Sequence, residues 1–299
     1  MGRRVAVFVL GAAAIGLAFF GMSCGGSDKA AGERILFQSN RQGKTQIFAT
    51  DVNGSKFTNL SNNSSNDYSP ECSPDGSEIA FSSDRGGALQ VFVADADGAN
   101  QTSITSGSAD NYLPSWSPDG KRIAYTSRPS SGVLQVYVMN ADGTGETDLT
   151  NGATAPDYGP AWSPDGTKIA FSSERDGQRE VYVMNADGSE QANLTGSTAD
   201  NWYPDWSPDG GSIAFASDRD GLPQIYVMNA DGSGQRRLSD AAGPEVSPAW
   251  SPDGSKIAFS SERDGHDEIY NMNADGSGLS RLTNNSAADL VPDWCVSSP

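Results

Sequence analysis

Trp162-Ser163-Pro164-Asp165-Gly166-Thr167-Lys168-Ile169-Ala170-Phe171 decides the architecture of this chain, because near-copies of it recur along almost the whole length. Pro164 is pre-set for the first central position of a tight turn, Asp165 bonds its own backbone, and Gly166 tolerates a positive φ, so the stretch reads strand, turn, strand. The isoleucine of the following strand returns as Ile35, Ile79, Ile123, Ile169, Ile213 and Ile257, at spacings of 44, 44, 46, 44 and 44 residues. Six repeats of this length have the period of a propeller.

Outward from that corner, every unit has the same four parts. A leading strand such as Pro160-Ala161-Trp162 enters Ser-Pro-Asp-Gly, then I-A-F-S-S follows. A hairpin such as Glu174-Arg175-Asp176-Gly177 leads to V-Y-V-M-N, the turn Ala186-Asp187-Gly188-Ser189, and a last strand ending at Leu194-Thr195. Four short antiparallel strands are the anatomy of a propeller blade. The first unit begins directly at Ile35-Leu36-Phe37 and has no leading strand, whereas Val291-Pro292-Asp293-Trp294 near the C-terminus is a leading strand with no unit after it. The expected fold is all-β: a six-bladed β-propeller of four-stranded antiparallel blades over 34–299, closed by the C-terminal strand pairing into the first blade. Closure hides sheet edges, and a monomer is expected.

With 34 Gly, 16 Pro and 36% hydrophobic residues in 299, the composition suits many short strands and tight turns and offers little for helices. A net charge of −18 repels phosphate backbones and anionic headgroups, so nucleic acid is excluded as an expected partner. Residues 1–24 read as an export segment: Arg3 and Arg4 precede an apolar run from Val5 to Met22, closed by Ser23-Cys24. A small residue before cysteine resembles the lipobox of bacterial lipoproteins, which implies lipidation of Cys24 and a membrane tether. Gly21 stands where that pattern has leucine, so a retained anchor is the alternative. Residues 25–33 are small and polar and read as a flexible tether. The expected location is outside the cytoplasm, periplasmic or at the cell surface.

The leading strands carry Trp116, Trp162, Trp206, Trp250 and Trp294, with Cys72 in the second unit. Each indole buries roughly 150–250 Å², and these read as packing between blades. The turns beginning at Asn140, Asn185, Asn229 and Asn273 start like calcium loops, but their twelfth positions are Asn151, Gly196, Asp240 and Asn284 rather than a bidentate acid. They read as Asp-Gly hairpin turns, and no metal or cofactor is expected. His266 is the only histidine, and no serine has a base or nucleophile elbow beside it. No catalytic residue is assigned. Paired channel carboxylates leave one alternative, a carbohydrate-active lyase or glycoside hydrolase.

One constellation rises above packing. An acid precedes each leading strand (Asp67, Asp110, Asp157, Asp200, Glu245 and Asp289), with Tyr68, Tyr112, Tyr158 and Trp202 following in four of the six. Strand alternation puts this loop and the hairpin after I-A-F-S-S on one face of the disc. The expectation is an acidic, aromatic-studded channel mouth offered to an envelope protein, peptide or glycan. The hairpins on that face also carry Arg41, Arg85, Arg128, Arg175, Arg219 and Arg263, so the other reading is that acid–arginine pairs are purely architectural. A disulfide between Cys72 and Cys295 is expected if Trp-type positions point toward the preceding blade, since both cysteines replace repeat residues in neighbouring innermost strands.

The repeat W-S-P-D-G-x-x-I-A-F-x-S-x-R-x-G-x-x-x-I-Y-x-M-N-A-D-G, in register over 34–296, resembles the WD-like propeller repeat of the TolB family, which belongs to the Tol–Pal cell-envelope system. Similar repeats occur in non-catalytic propellers of prolyl-oligopeptidase-like and tricorn-like proteases, so the motif speaks to fold before role. The resemblance implies a non-catalytic binding or scaffold module that docks a partner on its propeller. The α/β domain that precedes the propeller in that family has no counterpart between tether and first blade, and its role is not carried over.

Overall fold

The computed structural model describes residues 32–129, 132–152 and 154–296. The export segment with Cys24, residues 25–31 of the tether and the last three residues lie outside them. Among the described residues, 24 strands form six four-stranded antiparallel sheets, with no helix and so none long and apolar enough to cross a membrane.

Blade 1 closes the ring as its sequence predicts. The C-terminal strand Asp289–Cys295 pairs with Arg34–Ser39, matching Trp294 to Ile35. The innermost strands of blades 2 to 6 are Asp67–Cys72, Asp110–Trp116, Asp157–Trp162, Asn201–Trp206 and Glu245–Trp250. In blade 4 they are followed by Lys168–Ser173, Glu180–Asn185 and the two-residue outer strand Ala192–Asn193. The outer strand is shorter than Leu194-Thr195 suggested, although the Leu194 N–H still donates to the Val181 carbonyl at 2.8 Å.

The core lies between blades, not within them. Trp162 packs with Val136 and Val138 of blade 3 as well as Ile169 and Phe171 of its own sheet, and Trp206 meets Val181 and Val183 of blade 4. The indoles therefore point toward the preceding blade. Cys72, in the same position, faces Leu36 and Ile47 of blade 1 and is joined to Cys295, with Cα atoms 5.4 Å apart.

The Asp-Gly turns have a second reason for glycine besides hairpin geometry. At Gly188 φ is +86°, and a Cβ there would lie 2.7 Å from the Leu149 carbonyl oxygen of blade 3. Gly54, Gly98, Gly143, Gly232 and Gly276 approach, in the same way, the residue that follows the preceding blade's outer strand. The repeated turn is thus also the lower contact from blade to blade.

Every innermost strand carries a bulge. In blade 4, Tyr158 pairs with Ser172 and Ala161 with Ala170, so Gly159 and Pro160 together oppose Phe171, two residues against one. Proline fits there because it has no N–H to give to the ladder. The residue before it is left-handed in all six blades: Ser69, Leu113, Gly159, Tyr203, Ser247 and Val291 have φ between 50° and 62°. For a non-glycine residue this conformation costs roughly 1–2 kcal/mol. Inter-blade bonds offset it: the Tyr203 N–H donates to Ser172 Oγ at 3.1 Å, Val291 to Ser260 Oγ at 3.0 Å, and Gly159 to Thr126 Oγ1 at 3.0 Å.

Candidate functional site

The bulge decides what lines the channel. By sending two successive residues past one partner, it stacks three tiers of side chains around the axis. Below the left-handed tier lies a collar of six prolines, Pro70, Pro114, Pro160, Pro204, Pro248 and Pro292, and below that Glu71, Ser115, Ala161, Asp205, Ala249 and Asp293. The lumen they enclose has a volume of about 130 Å³. It shares Ser69, Leu113, Tyr203 and Val291 with a wider cavity of about 410 Å³ at the mouth, whose wall is completed by Gln38, Tyr68, Asp84, Leu89 and Tyr112.

The acids expected at this mouth are placed elsewhere. Asp67, Asp157, Glu245 and Asp289 are fully buried at the start of their strands and ion-paired to Arg85, Arg175, Arg263 and Arg41, at 3.2 Å for Asp67 and 2.8 Å for Asp157 and Asp289. Each guanidinium is fixed in at least three ways. That of Arg175 donates from Nε to Ser173 Oγ at 2.8 Å, from Nη2 to Asp157, and lies 4.7 Å over the Tyr182 ring. Burial raises the Asp157 carboxyl above its ordinary range against these bonds. In blades 3 and 5 the equivalent buried residues are Asn111 and Asn201, and Arg219 Nη2 donates to Asn201 Oδ1 at 2.8 Å. Asp110 and Asp200 lie one residue earlier, accepting the Leu89 and Arg179 N–H groups at 3.0 Å. The architectural pairing thus holds in blades 1, 2, 4 and 6, where the acid is withdrawn from the mouth, whereas in blade 5 the hairpin arginine bonds Asn201 and Asp200 lies beside Arg179 instead.

The aromatics divide as well. Tyr68 and Tyr112 line the mouth, while Trp202 is buried beneath the Arg179 guanidinium, 5.1 Å from its ring. The residue after it, Tyr203, reaches the lumen instead, and Tyr158 packs edge-on against it with centroids 6.4 Å apart.

The acids that line the channel are residues that the sequence reading passed over. Glu71 accepts the Trp116 N–H at 3.0 Å and the Ser115 hydroxyl at 3.3 Å, Asp205 accepts the Trp250 N–H at 2.6 Å, and Asp293 accepts the Cys72 N–H at 2.8 Å. Each carboxylate latches its blade to the next. Burial pushes the Asp205 carboxyl up to about 7 and the Asp293 carboxyl to about 8, the charge of Asp205 adding to the latter. Burial first, then Asp293, holds Glu71 well above its ordinary range. All three stand between proline and the Trp-type residue, and that variable position in P-x-W was the signal available. Among the described residues, no group of three or more His, Cys, Asp or Glu is placed to hold a metal.

These raised values make the ring's stability depend on pH. The folded chain binds the three protons more tightly than the unfolded chain, whose carboxyls titrate near 4. The associated stabilisation is complete below about pH 4 and is lost as pH rises through about 7 and 8. Because the carboxylates retain partial access to the lumen, the expected loss is on the order of 2 kcal/mol, or roughly 4–8 °C in Tm. Thermal melts from pH 5 to 9 check this, and Asp205→Asn with Asp293→Asn should flatten the profile.

The model of the family described as the TolB β-propeller domain matches residues 17–157 and 93–244. The chain belongs to that family. TolB from Acinetobacter baumannii superposes on the TolB-type propeller described above with a TM-score of 0.79 at 21% identity, over 88% of this chain and 66% of that one. The chain thus spans just under two thirds of that protein. A structure described as TolB from Agrobacterium tumefaciens gives 0.71 at 22% identity, covering 89% of this chain and 99% of its own. Hydrazine synthase from Kuenenia stuttgartiensis gives 0.75 at 16% identity, with 90% of this chain and 47% of that one covered. At such identities the likeness shows the fold alone, and one propeller serves different roles. No curated protein sequence matches the chain.

Proposed function

We propose that this TolB-type propeller is an exported, membrane-tethered, non-catalytic binding module whose channel mouth receives a partner polypeptide of the cell envelope. The observation that carries the reading is the 410 Å³ mouth cavity, where Tyr68, Tyr112 and Tyr203 meet Leu89, Leu113 and Val291. Tyrosines offer broad apolar faces with a polar tip and are enriched among residues that dominate binding energy. The carbohydrate-active alternative is less favoured. The lumen that holds the carboxylates is about 130 Å³, well under the roughly 300–1,000 Å³ of small-molecule sites, and each acid already accepts an inter-blade N–H.

The test is a pull-down from envelope extracts with the chain beginning after Cys24, beside the double variant Tyr112→Ala/Tyr203→Ala. A specific partner should bind the variant at least about tenfold more weakly, while its melt stays cooperative. Equal capture would move the site to another surface. For the tether, Cys24→Ala is expected to shift the protein from the membrane to the soluble fraction. Membrane retention with the mass of an intact leader would favour a retained anchor.

A further inference from the structure

The mouth and the lumen form one passage, since both cavities share Ser69, Leu113, Tyr203 and Val291. Its wall changes character with depth, from aromatic and aliphatic groups through the proline collar to carboxylates. Among the described residues, neither cavity is lined by a lysine or arginine. The third tier offers Ser115, Ala161 and Ala249 beside the acids, so among the described residues no cation stands in that tier to neutralise them. Charged groups nearer the surface are Asp84 on the mouth wall, Arg128 and Asp110, which act on Tyr112, and Arg179, which acts on Tyr203 from outside the lumen. An apolar collar above a charged floor excludes bulky or fully hydrated groups and accepts a thin methylene stem with a compact charge at its tip. Tyrosine faces at the entrance favour cations approaching the same axis.

Resting on the mouth reading above and naming its chemistry, we propose that the partner polypeptide inserts a lysine side chain past the proline collar, placing its ammonium among Glu71, Asp205 and Asp293. Tyr112 and Tyr203 then hold the residues beside it. Desolvating an ammonium is costly unless paired, and three carboxylates fixed by backbone N–H donors are pre-organised to pair it. Near neutral pH part of this tier is protonated, so entry of the ammonium releases protons to solvent. Lysine itself stays charged, with an ordinary value near 10.4.

Calorimetric titration of the whole exported chain tests this with two probes, acetyl-Gly-Phe-Lys-Phe-Gly-amide and the same peptide with norleucine for lysine. The lysine peptide is expected to bind at least tenfold tighter than the norleucine peptide, to tighten about tenfold from pH 6 to 8.5, and to release protons in buffers of different ionisation enthalpy. Glu71→Gln/Asp205→Asn/Asp293→Asn should remove the lysine preference and the pH dependence. The amide oxygens still accept the latching N–H groups, and Glu71→Gln alone serves if the triple variant melts early. Equal binding of both peptides overturns the lysine proposal and leaves the mouth reading standing. Binding of neither overturns both.

Discussion

Alanine at Gly188 is expected to lower the stability of the ring by about 2–4 kcal/mol, of which the backbone conformation accounts for roughly 1–2. The remainder comes from the added Cβ, which would press on the Leu149 carbonyl at 2.7 Å and force blade 4 away from blade 3. That oxygen accepts Gln191 Nε2 at 3.1 Å and the Leu149 N–H is held by the Val136 carbonyl at 2.9 Å, so it cannot step aside without disturbing both bonds, and tightly packed interfaces transmit such strain. Gly177 supplies the control: its φ is +95°, yet nothing lies within 4 Å of a Cβ built there. Gly177→Ala should therefore cost only the conformational part. Urea unfolding of both variants measures the difference, and equal losses would show that the approach of blades at this turn carries no energy.

Breaking the Cys72–Cys295 bond is expected to have the largest effect of any single change. It closes a chain separation of 223 residues, for which the chain-entropy model gives on the order of 5 kcal/mol. The bond also joins the strand that closes blade 1 to blade 2, beside the latch from Asp293 to the Cys72 N–H. Reduction should lower the urea midpoint strongly, and Cys72→Ala/Cys295→Ala should match the reduced protein within the cost of two small cavities. Blade 1 is where opening should begin, seen as early hydrogen exchange in Arg34–Ser39. Two thiols that titrate in the unfolded chain without reductant would mean the bond does not form in solution.

Local chemistry was readable where a few adjacent residues suffice. Pro164-Asp165-Gly166 makes a turn wherever it stands, and its return at a fixed period in step with the isoleucines dictates blades. The unmatched strand at Val291–Trp294 then required closure on Ile35. Less local assignments slipped. In Asp110-Asn111 and Asp200-Asn201 two polar residues adjoin, and only the pairing of Asn111 with Ser127 and Asn201 with Ser217 shows which one takes the buried position. Trp202 and Tyr203 exchange roles for the same reason.

What the sequence by itself determined, then, was the six-bladed ring, its closure and the face on which hairpin arginines gather, because turn propensity and apolar period act over neighbouring residues. Tertiary structure alone decided which acids line the channel. Asp157 disappears beneath Arg175 because Ser173 and Tyr182 hold that guanidinium over it. Glu71, Asp205 and Asp293 reach the lumen because a bulge breaks the two-residue alternation that would otherwise govern their strands. Burial and pairing are set by groups tens to hundreds of residues away, and a linear reading has no term for them until the blades are brought together.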